Sequence, residues 1–357
     1  MTAPSCPEHG PPPDAGDSFC EVCGRNLRTG AAPTLTAAPL PGPSGGAAPV
    51  VPWLSSRAGD GACAGCGGPV PAGAYCDRCG RRRGTGRDRS ELELDGLAAV
   101  TDRANRRRNE DAVAIGRTAT ARVAVVCDGV STSARADTAA QAAAEAAVAT
   151  LLTALTAGAD PAEASRRAAR AATTAAREVA VAEDRDSPPS CTYVSAVVTG
   201  EQVTVGWIGD SRAYWLGREP AQLTVDDSVR ALLAAGRPLP AGLAGVDERS
   251  ASLVRWLGSD GDGAEAQLVT VRPTGPGLVL VCSDGLHHYL PSAADLADAV
   301  TGLSAGLPGA RGGPAGRPLD LARGLTALAV RAGGHDNIAV AVLPYAATGT
   351  AEGGTML

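Results

Sequence analysis

Four aspartates stand at the ends of short apolar runs. Asp128, Asp210 and Asp284 follow such runs within two residues, and Asp336 precedes another. A short apolar run bounded by turn residues is typical of a buried strand, so each acid is expected at the rim of an apolar core. Taken alone, each Asp-Gly pair is better explained as a hairpin turn. Four acids at one rim would repel each other, and a hard divalent cation such as Mg²⁺ or Mn²⁺ would hold them ionised.

The elements that would carry these acids alternate from about residue 92. Tight hairpins join consecutive strands and the helices fall in groups, which indicates an α+β fold in layers rather than a doubly wound parallel sheet. The predicted strands are 93–101, 111–116, 121–128, 191–199, 202–208, 211–216, 266–273, 277–283 and 337–343. The predicted helices are 136–157, 160–183, 292–302 and 318–332, with an insertion at 226–258 and a mobile loop at 303–317.

Two cysteine-rich segments precede this part of the chain. Pairs of C-x2-C-type turns can hold one tetrahedral zinc ion, which would fold a segment too small to have its own core. Residues 61–82 are predicted to be a zinc ribbon with four cysteine ligands, and residues 1–30 a looser ribbon with three cysteines and one histidine. The predicted ligands of two structural Zn²⁺ ions are Cys63, Cys66, Cys76 and Cys79, and Cys6, His9, Cys20 and Cys23. The alternative is reactive or disulfide-forming cysteines in a disordered tail.

Composition assigns the remaining segments and limits the function. Residues 31–60 are predicted to be a flexible Ala/Pro/Gly linker, 83–91 a basic joint, 92–345 the main domain and 346–357 a disordered tail.

The net charge of −6 gives no reason to expect a polyanionic partner. No signal peptide and no membrane-spanning run is recognised, so a cytoplasmic protein is expected. The ribbons carry too few aromatic residues for a nucleic-acid surface, which favours protein contact.

Eight short motifs surround the acids in a fixed order. They are 101–111 (TDRANRRRNED), Asp128-Gly129, Ser190-Cys191-Thr192, 209–212 (GDSR), 223–228 (LTVDDS), 255–258 (RWLG), 283–286 (SDGL) and Asp336-Asn337-Ile338. In this order and spacing the set resembles the metal-dependent serine/threonine protein phosphatases of type 2C, especially their bacterial members. The resemblance implies an antiparallel β-sandwich flanked by helices on both faces (α-β-β-α), with a metal cleft at one end.

The resemblance also implies a set of metal ligands. Asp128 would bridge two Mg²⁺ or Mn²⁺ ions, and the Gly129 carbonyl would bind one of them. Asp284 and Asp336 would bind the other ion. Bacterial members often hold a third ion, whose ligands here would be Asp210 and Asp284.

Three further residues complete the implied catalytic site. Glu110 would anchor metal-bound water, Asp111 would support that shell, and Arg106 would bind phosphate. A hydroxide bridging the two ions would attack phosphorus, while the ions and Arg106 offset charge on the phosphoryl oxygens. The catalytic residues are therefore predicted to be Arg106, Glu110 and Asp128.

The sequence departs from the family pattern at four places. No histidine stands beside Gly129, so metal-bound water would protonate the leaving group. Ala104 replaces a usual glycine, and Asp227 replaces the histidine of the LTxDHS motif. His288 replaces an acid associated with the third ion. These departures concern the third site and the turnover rate rather than the binuclear core.

The predicted function is hydrolysis of phosphoserine and phosphothreonine in proteins, with the ribbons binding a partner. A serine/threonine kinase is the expected counterpart by resemblance alone. One alternative is a catalytically weak phosphatase fold that serves as a regulatory or phosphoprotein-binding module. Another is a nucleic-acid-binding protein that acts through its ribbons.

Overall fold

The computed structural model describes residues 52–56, 88–184, 186–239, 252–261, 265–305 and 318–346. Except for Pro52, these residues belong to one compact unit, formed by Trp53–Ser56 and Asp88–Leu357. The cysteine-rich segments 1–30 and 61–82 lie outside the described residues, as does most of the predicted tail. The zinc ligands therefore stay predictions.

The first sheet has six antiparallel strands. In spatial order they are β1 (Trp53–Ser55), β4 (Ala112–Arg117), β5 (Ala121–Cys127), β7 (Tyr193–Thr199), β8 (Val203–Ile208) and β12 (Gln267–Val271). Val123 to Cys127 of β5 are completely buried, as expected for a central strand between two layers.

The second sheet also has six antiparallel strands. In spatial order they are β10 (Ala221–Gln222), β9 (Arg212–Leu216), β13 (Gly277–Cys282), β14 (Ile338–Tyr345), β3 (Leu97–Asp102) and β2 (Arg89–Leu94). A separate two-stranded ribbon pairs β6 (Ser190–Cys191) with β11 (Leu257–Gly258).

Helices cover the outer face of each sheet. Their bounds are α1 (Ala136–Thr156), α2 (Pro161–Glu178), α3 (Val229–Ala234), α4 (Asp284–His287), α5 (Ala293–Ala305) and α6 (Pro318–Arg331). The first two pack on β4, β5, β7 and β8, whereas α5 and α6 pack on β9, β3 and β14. Asp160 caps α2 by accepting hydrogen bonds from the amides of Ala162 (2.9 Å) and Glu163 (3.4 Å).

The main core lies between the two sheets. Ile115 and Val126 of the first sheet belong to the same buried cluster as Val281 and Leu343 of the second. Another buried cluster joins the second sheet to α5 and α6. The predicted α-β-β-α sandwich is therefore confirmed for the described part of the chain.

Three predicted segments need correction. The range 93–101 is not one strand, because Asp95 and Gly96 (φ 42° and 81°) form the turn of the β2–β3 hairpin. Since β2 begins at Arg89, the last residues of the predicted basic joint belong to the sheet. Trp53–Ser55, predicted as linker, pairs with β4, and the Ser56 hydroxyl accepts a hydrogen bond from the Val113 amide (3.0 Å).

Helix α1 is long and apolar enough to cross a membrane. The sequence-based expectation that no run reaches this length and composition is wrong for this helix. Its buried residues include Ala140, Ala144 and Leu151, and it packs on β4, β5 and α2. Half of its most apolar window is buried within the fold, as in the core helix of a sandwich.

Candidate metal centre

The end of β5 brings Asp128 and Gly129 against the start of β4. The Asp128 amide donates a hydrogen bond to the Thr192 hydroxyl (3.0 Å), and the Gly129 amide donates one to the Glu110 carbonyl (3.2 Å). A Cβ added at Gly129 would lie 2.8 Å from that carbonyl oxygen and 2.9 Å from Ala136. Only glycine allows this close backbone approach.

The end of β13 brings Asp284 to the same region. The Ser283 hydroxyl donates a hydrogen bond to Asp111 Oδ2 (2.7 Å) and accepts one from the Ala339 amide (2.9 Å). A Cβ added at Gly285 would lie 1.9 Å from the Asn337 carbonyl oxygen. These contacts hold Asp111, Asp284 and the start of β14 together.

Asn337 fixes the loop that carries the predicted phosphate ligand. Its Oδ1 accepts a hydrogen bond from the Glu110 amide (2.8 Å), and its Nδ2 donates to the carbonyls of Arg103 and Arg108 (both 2.9 Å). Asn337 belongs to one of the eight sequence motifs but was not predicted as a site residue. Its place directly after Asp336 was the only indication in the sequence.

Arg106 lies in this loop and forms a bidentate ion pair with Asp336. Its Nε and Nη2 donate to the two carboxylate oxygens at 2.8 and 2.9 Å, and Nη2 also donates to the Ser131 hydroxyl at 2.7 Å. Both side chains are about one-third exposed. The planar guanidinium therefore lies at the edge of the acidic cluster, where it binds the Asp336 carboxylate with two hydrogen bonds.

Asp210 follows β8 at a tight turn. Gly209 has a φ of 107°, and the carbonyl of Asp210 accepts a hydrogen bond from Nε2 of the buried His287 (3.0 Å). Burial and the neighbouring Asp284 and Asp226 raise the pKa of Asp210 to about 7. Burial, with nearby Arg212, lowers the pKa of His287 to about 4, so this imidazole is neutral at physiological pH.

The acids interact electrostatically as one cluster. Burial raises the pKa of Asp111, Asp128 and Asp284, and mutual repulsion among the carboxylates, including Asp336, raises it further. Such shifts mark an arrangement of carboxylates that lacks compensating positive charge. The four acids predicted from separate strand ends are thus brought to one end of the sandwich.

The donor atoms fit a hard divalent cation. Asp111 Oδ1 and Asp284 Oδ1 are buried without a hydrogen-bond partner. Among the described residues, no group of three or more His, Cys, Asp or Glu side chains is close enough together to hold a metal ion in the arrangement seen. The fit therefore rests on the type of donor atom, since Mg²⁺ and Mn²⁺ prefer oxygen ligands and Mg²⁺ in particular keeps several waters.

The structure shows the surroundings of three of the departures. Ala104 has a φ of 50°, a left-handed conformation in which glycine carries no steric penalty, so the structure accounts for the usual glycine at this position. Asp227 is buried and accepts hydrogen bonds from the Gly209 amide (3.1 Å), Gln267 Nε2 (2.8 Å) and Arg255 (3.2 Å). It therefore positions the turn before Asp210. His288, the third departure, is exposed beside Tyr289 and His335.

Residues 101–311, more than half of the chain, match the family description "Protein phosphatase 2C". No curated protein sequence matches this chain significantly.

Solved structures similar to this chain include bacterial serine/threonine phosphatases. The serine/threonine phosphatase of S. agalactiae is 20% identical over 73% of this chain and 99% of its own, with a TM-score of 0.52. The phosphatase MsPP from Mycobacterium smegmatis, in complex with cacodylate, is 25% identical over 70% and 98%, with a TM-score of 0.50. The PstP catalytic domain, in complex with two manganese ions, is 26% identical over 70% and 97%, with a TM-score of 0.47.

The α-β-β-α sandwich and the cluster of carboxylates at the ends of its strands agree with this family match. The chain belongs to the protein phosphatase 2C family and is a serine/threonine phosphatase of that family.

Proposed function

We propose that the enzyme hydrolyses phosphoserine and phosphothreonine in proteins with two Mn²⁺ or Mg²⁺ ions. Asp128, the Gly129 carbonyl, Asp284 and Asp336 would hold these ions. The observation that supports this proposal is the cluster of carboxylates with raised pKa values, which includes two buried oxygens without hydrogen-bond partners. Asp210, with Asp284, would serve a third ion.

The remaining site residues act on phosphate and water. When bound, the ions supply positive charge and a water of lowered pKa near neutral pH. Arg106 is positioned to bind two phosphoryl oxygens once its guanidinium turns from Asp336, and Ser131 steadies its Nη2. Glu110 would orient water, and Asp111, fixed by Ser283, would orient the water shell.

The proposal also includes two zinc ribbons that bind a partner protein and a kinase that phosphorylates the same substrates. Two structural Zn²⁺ ions in residues 1–30 and 61–82 would create a surface for protein contact. A cytoplasmic serine/threonine kinase would act on the same phosphoproteins. Two zinc ions per chain should survive mild chelation of the full chain, and one of the two should be lost when Cys63 and Cys66 are replaced by serine.

The catalytic proposal is tested with p-nitrophenyl phosphate and a phosphothreonine peptide, with and without Mn²⁺. Asp128→Asn and Asp284→Asn should each lower kcat/KM by about a hundredfold or more, because each removes a metal-binding carboxylate. Asp298→Asn, an exposed acid on α5, is the matched control. Full activity of Asp128→Asn would refute the mechanism. Peptide binding without turnover in the wild type would favour a regulatory module instead.

A further inference from the structure

A cavity of about 300 Å³ lies beside α2, and none of the proposed catalytic or metal-binding residues lines it. Arg166, Arg170 and Arg177 line it from the helix, and Ile208 of β8 and Glu265 line it from the first sheet and the segment before β12. None of these side chains has a part in the proposed mechanism. Their chemistry indicates which kind of ligand the cavity would take.

The arginines share one face of α2 because of their spacing. Arg166, Arg170, Thr173 and Arg177 stand at positions i, i+4, i+7 and i+11, which fall in one stripe of an α-helix. Arg167, one residue further round the helix, does not line the cavity. Three guanidinium groups therefore converge on one space, with an apolar floor at Ile208.

The acidic groups near these arginines are too distant for hydrogen bonds. Arg170 lies 3.9 Å from both Glu163 and Glu265, and Arg166 lies 3.7 Å from Glu163. The Glu265 side chain is 82% exposed. Long, exposed ion pairs contribute little energy, so the guanidinium donors of Arg166 and Arg170 stay available to a ligand, whereas Arg177 donates to the carbonyls of Gly258 (3.0 Å) and Gly261 (3.4 Å). In a chain with a net charge of −6, this surface is a local positive region that attracts anions.

The cavity is connected to the acidic centre through the backbone. Arg177 Nε donates a hydrogen bond to the Gly258 carbonyl (3.0 Å), and β11 pairs with β6. Cys191 of β6 in turn forms a β-bridge with Gly129. On its other side, the cavity is lined by β8, whose last residue lies two positions before Asp210. The same elements therefore carry the cavity wall and the proposed metal ligands.

We infer that the arginine-lined cavity binds an anionic group of the phosphoprotein substrate while the phosphoryl group to be removed occupies the acidic centre. This inference rests on the proposed function. The anionic group is an acidic side chain or a second phosphate, because either presents oxygens that a guanidinium binds with two hydrogen bonds. The enzyme therefore prefers acidic or multiply phosphorylated sites.

The test compares the double variant Arg166→Gln/Arg170→Gln with Arg167→Gln. Arg167 is the matched control, because it is exposed on the same helix and bonds Glu163 at 2.8 Å. Arg177 is left intact because it holds β11. The substrates are p-nitrophenyl phosphate and three phosphothreonine peptides whose flanking positions are neutral, acidic or phosphorylated. All are assayed with Mn²⁺.

The double variant should lower kcat/KM about tenfold, mainly through KM, for a peptide with an anionic flank. Its activity on the neutral peptide and on p-nitrophenyl phosphate should be unchanged, and Arg167→Gln should match the wild type on every substrate. If the double variant loses activity on the peptide with a phosphorylated flank alone, the ligand is a second phosphate. If it loses activity on both the acidic and the phosphorylated peptide, the cavity accepts any anionic group. Unchanged kinetics on all peptides, or an equal loss on p-nitrophenyl phosphate, would overturn the inference.

Binding separates this inference from the catalytic proposal. If the wild type hydrolyses none of the substrates, the catalytic proposal fails, but fluorescence anisotropy with the doubly phosphorylated peptide still tests the cavity. Weaker binding by the double variant than by Arg167→Gln would support the arginine site. Equal binding by the two variants would overturn it.

Discussion

Asn337 joins the loop that carries Arg106 to the strand that follows Asp336. Its side chain uses one acceptor and both donor hydrogens on backbone groups of this loop. The loop has few apolar contacts to position it, because Arg107 and Arg108 are exposed. The Asn337 amide therefore contributes strongly to the position of the predicted phosphate ligand and of Glu110, together with the hydrogen bond from Arg103 to the Arg106 carbonyl (2.7 Å).

Replacing Asn337 by alanine is expected to destabilise the fold and to impair catalysis. Loss of three hydrogen bonds to buried or half-buried backbone groups should cost about 2–3 kcal/mol. The kcat should fall more than the thermal stability explains, since Arg106 loses its fixed position. Urea unfolding and phosphatase kinetics measure the two effects. Asn105→Ala removes an exposed hydrogen bond of the same loop (to the Gly333 carbonyl, 2.8 Å) and should change stability by less than about 0.5 kcal/mol.

His287 makes the stability sensitive to acid. Its folded pKa of about 4 lies below the ordinary value of 6.5, so the unfolded chain binds more protons between these values. The contribution of His287 is therefore complete above pH 6.5 and is lost as the pH falls towards 4. Between about pH 7 and about pH 5 this loss amounts to about 2 kcal/mol. In His287→Gln, the free energy of unfolding should fall less over this range, whereas the exposed His335→Gln should follow the wild type.

At the scale of elements, the short helix α4 must pack tightly on the start of β14. Gly285→Ala should destabilise the fold by about 3 kcal/mol or more, because the new Cβ would overlap the Asn337 carbonyl oxygen.

Gly302→Ala is the opposite case, since nothing lies within 4 Å of a Cβ at this exposed position of α5. It should stabilise by about 0.5–1 kcal/mol. Paired denaturation curves test both, and a harmless Gly285→Ala would contradict the packing described.

The elements show what the sequence could and could not predict. Apolar runs located β5 and β13 with their acids, because burial on both faces leaves a continuous apolar pattern. The same signal joined the end of β2 and all of β3 into one predicted strand. The turn between them, Asp95-Gly96, is only two residues long, and the apolar Leu94 and Leu97 stand directly on either side of it. It also joined β6 and β7 into one predicted strand. Thr192 separates them, and its hydroxyl accepts a hydrogen bond from the Asp128 amide. Hydrogen bonds between distant segments, such as those of Asn337, leave no periodic signal in the sequence.

For the whole molecule, the acidic cluster predicts how metal and pH act together. The raised pKa of a buried carboxyl means that the folded, metal-free protein binds more protons than the unfolded chain, so this group costs stability as the pH rises. Metal binding displaces those protons. The increase in Tm caused by Mn²⁺ should therefore be larger at about pH 8 than at about pH 6, and steepest near the pKa of about 7 of Asp210.

Differential scanning calorimetry with Mn²⁺ and with a chelator at each pH measures this difference directly. Asp128→Asn should remove most of the Mn²⁺ effect at both pH values. An Mn²⁺ effect that is independent of pH would show that the carboxylates are already ionised in the metal-free protein.

The pairing of β1 with β4 has a consequence for any shortened version of the enzyme. Ser90 Oγ donates to the Ser56 carbonyl at 3.3 Å, so residues 53–56 contact β2 as well as β4. A fragment that starts at Asp88 would keep every proposed catalytic residue but would leave the backbone of β4 uncovered. Uncovered strand edges recruit other chains. Such a fragment should self-associate in light-scattering experiments, and adding a peptide that spans residues 50–58 should reverse the clustering.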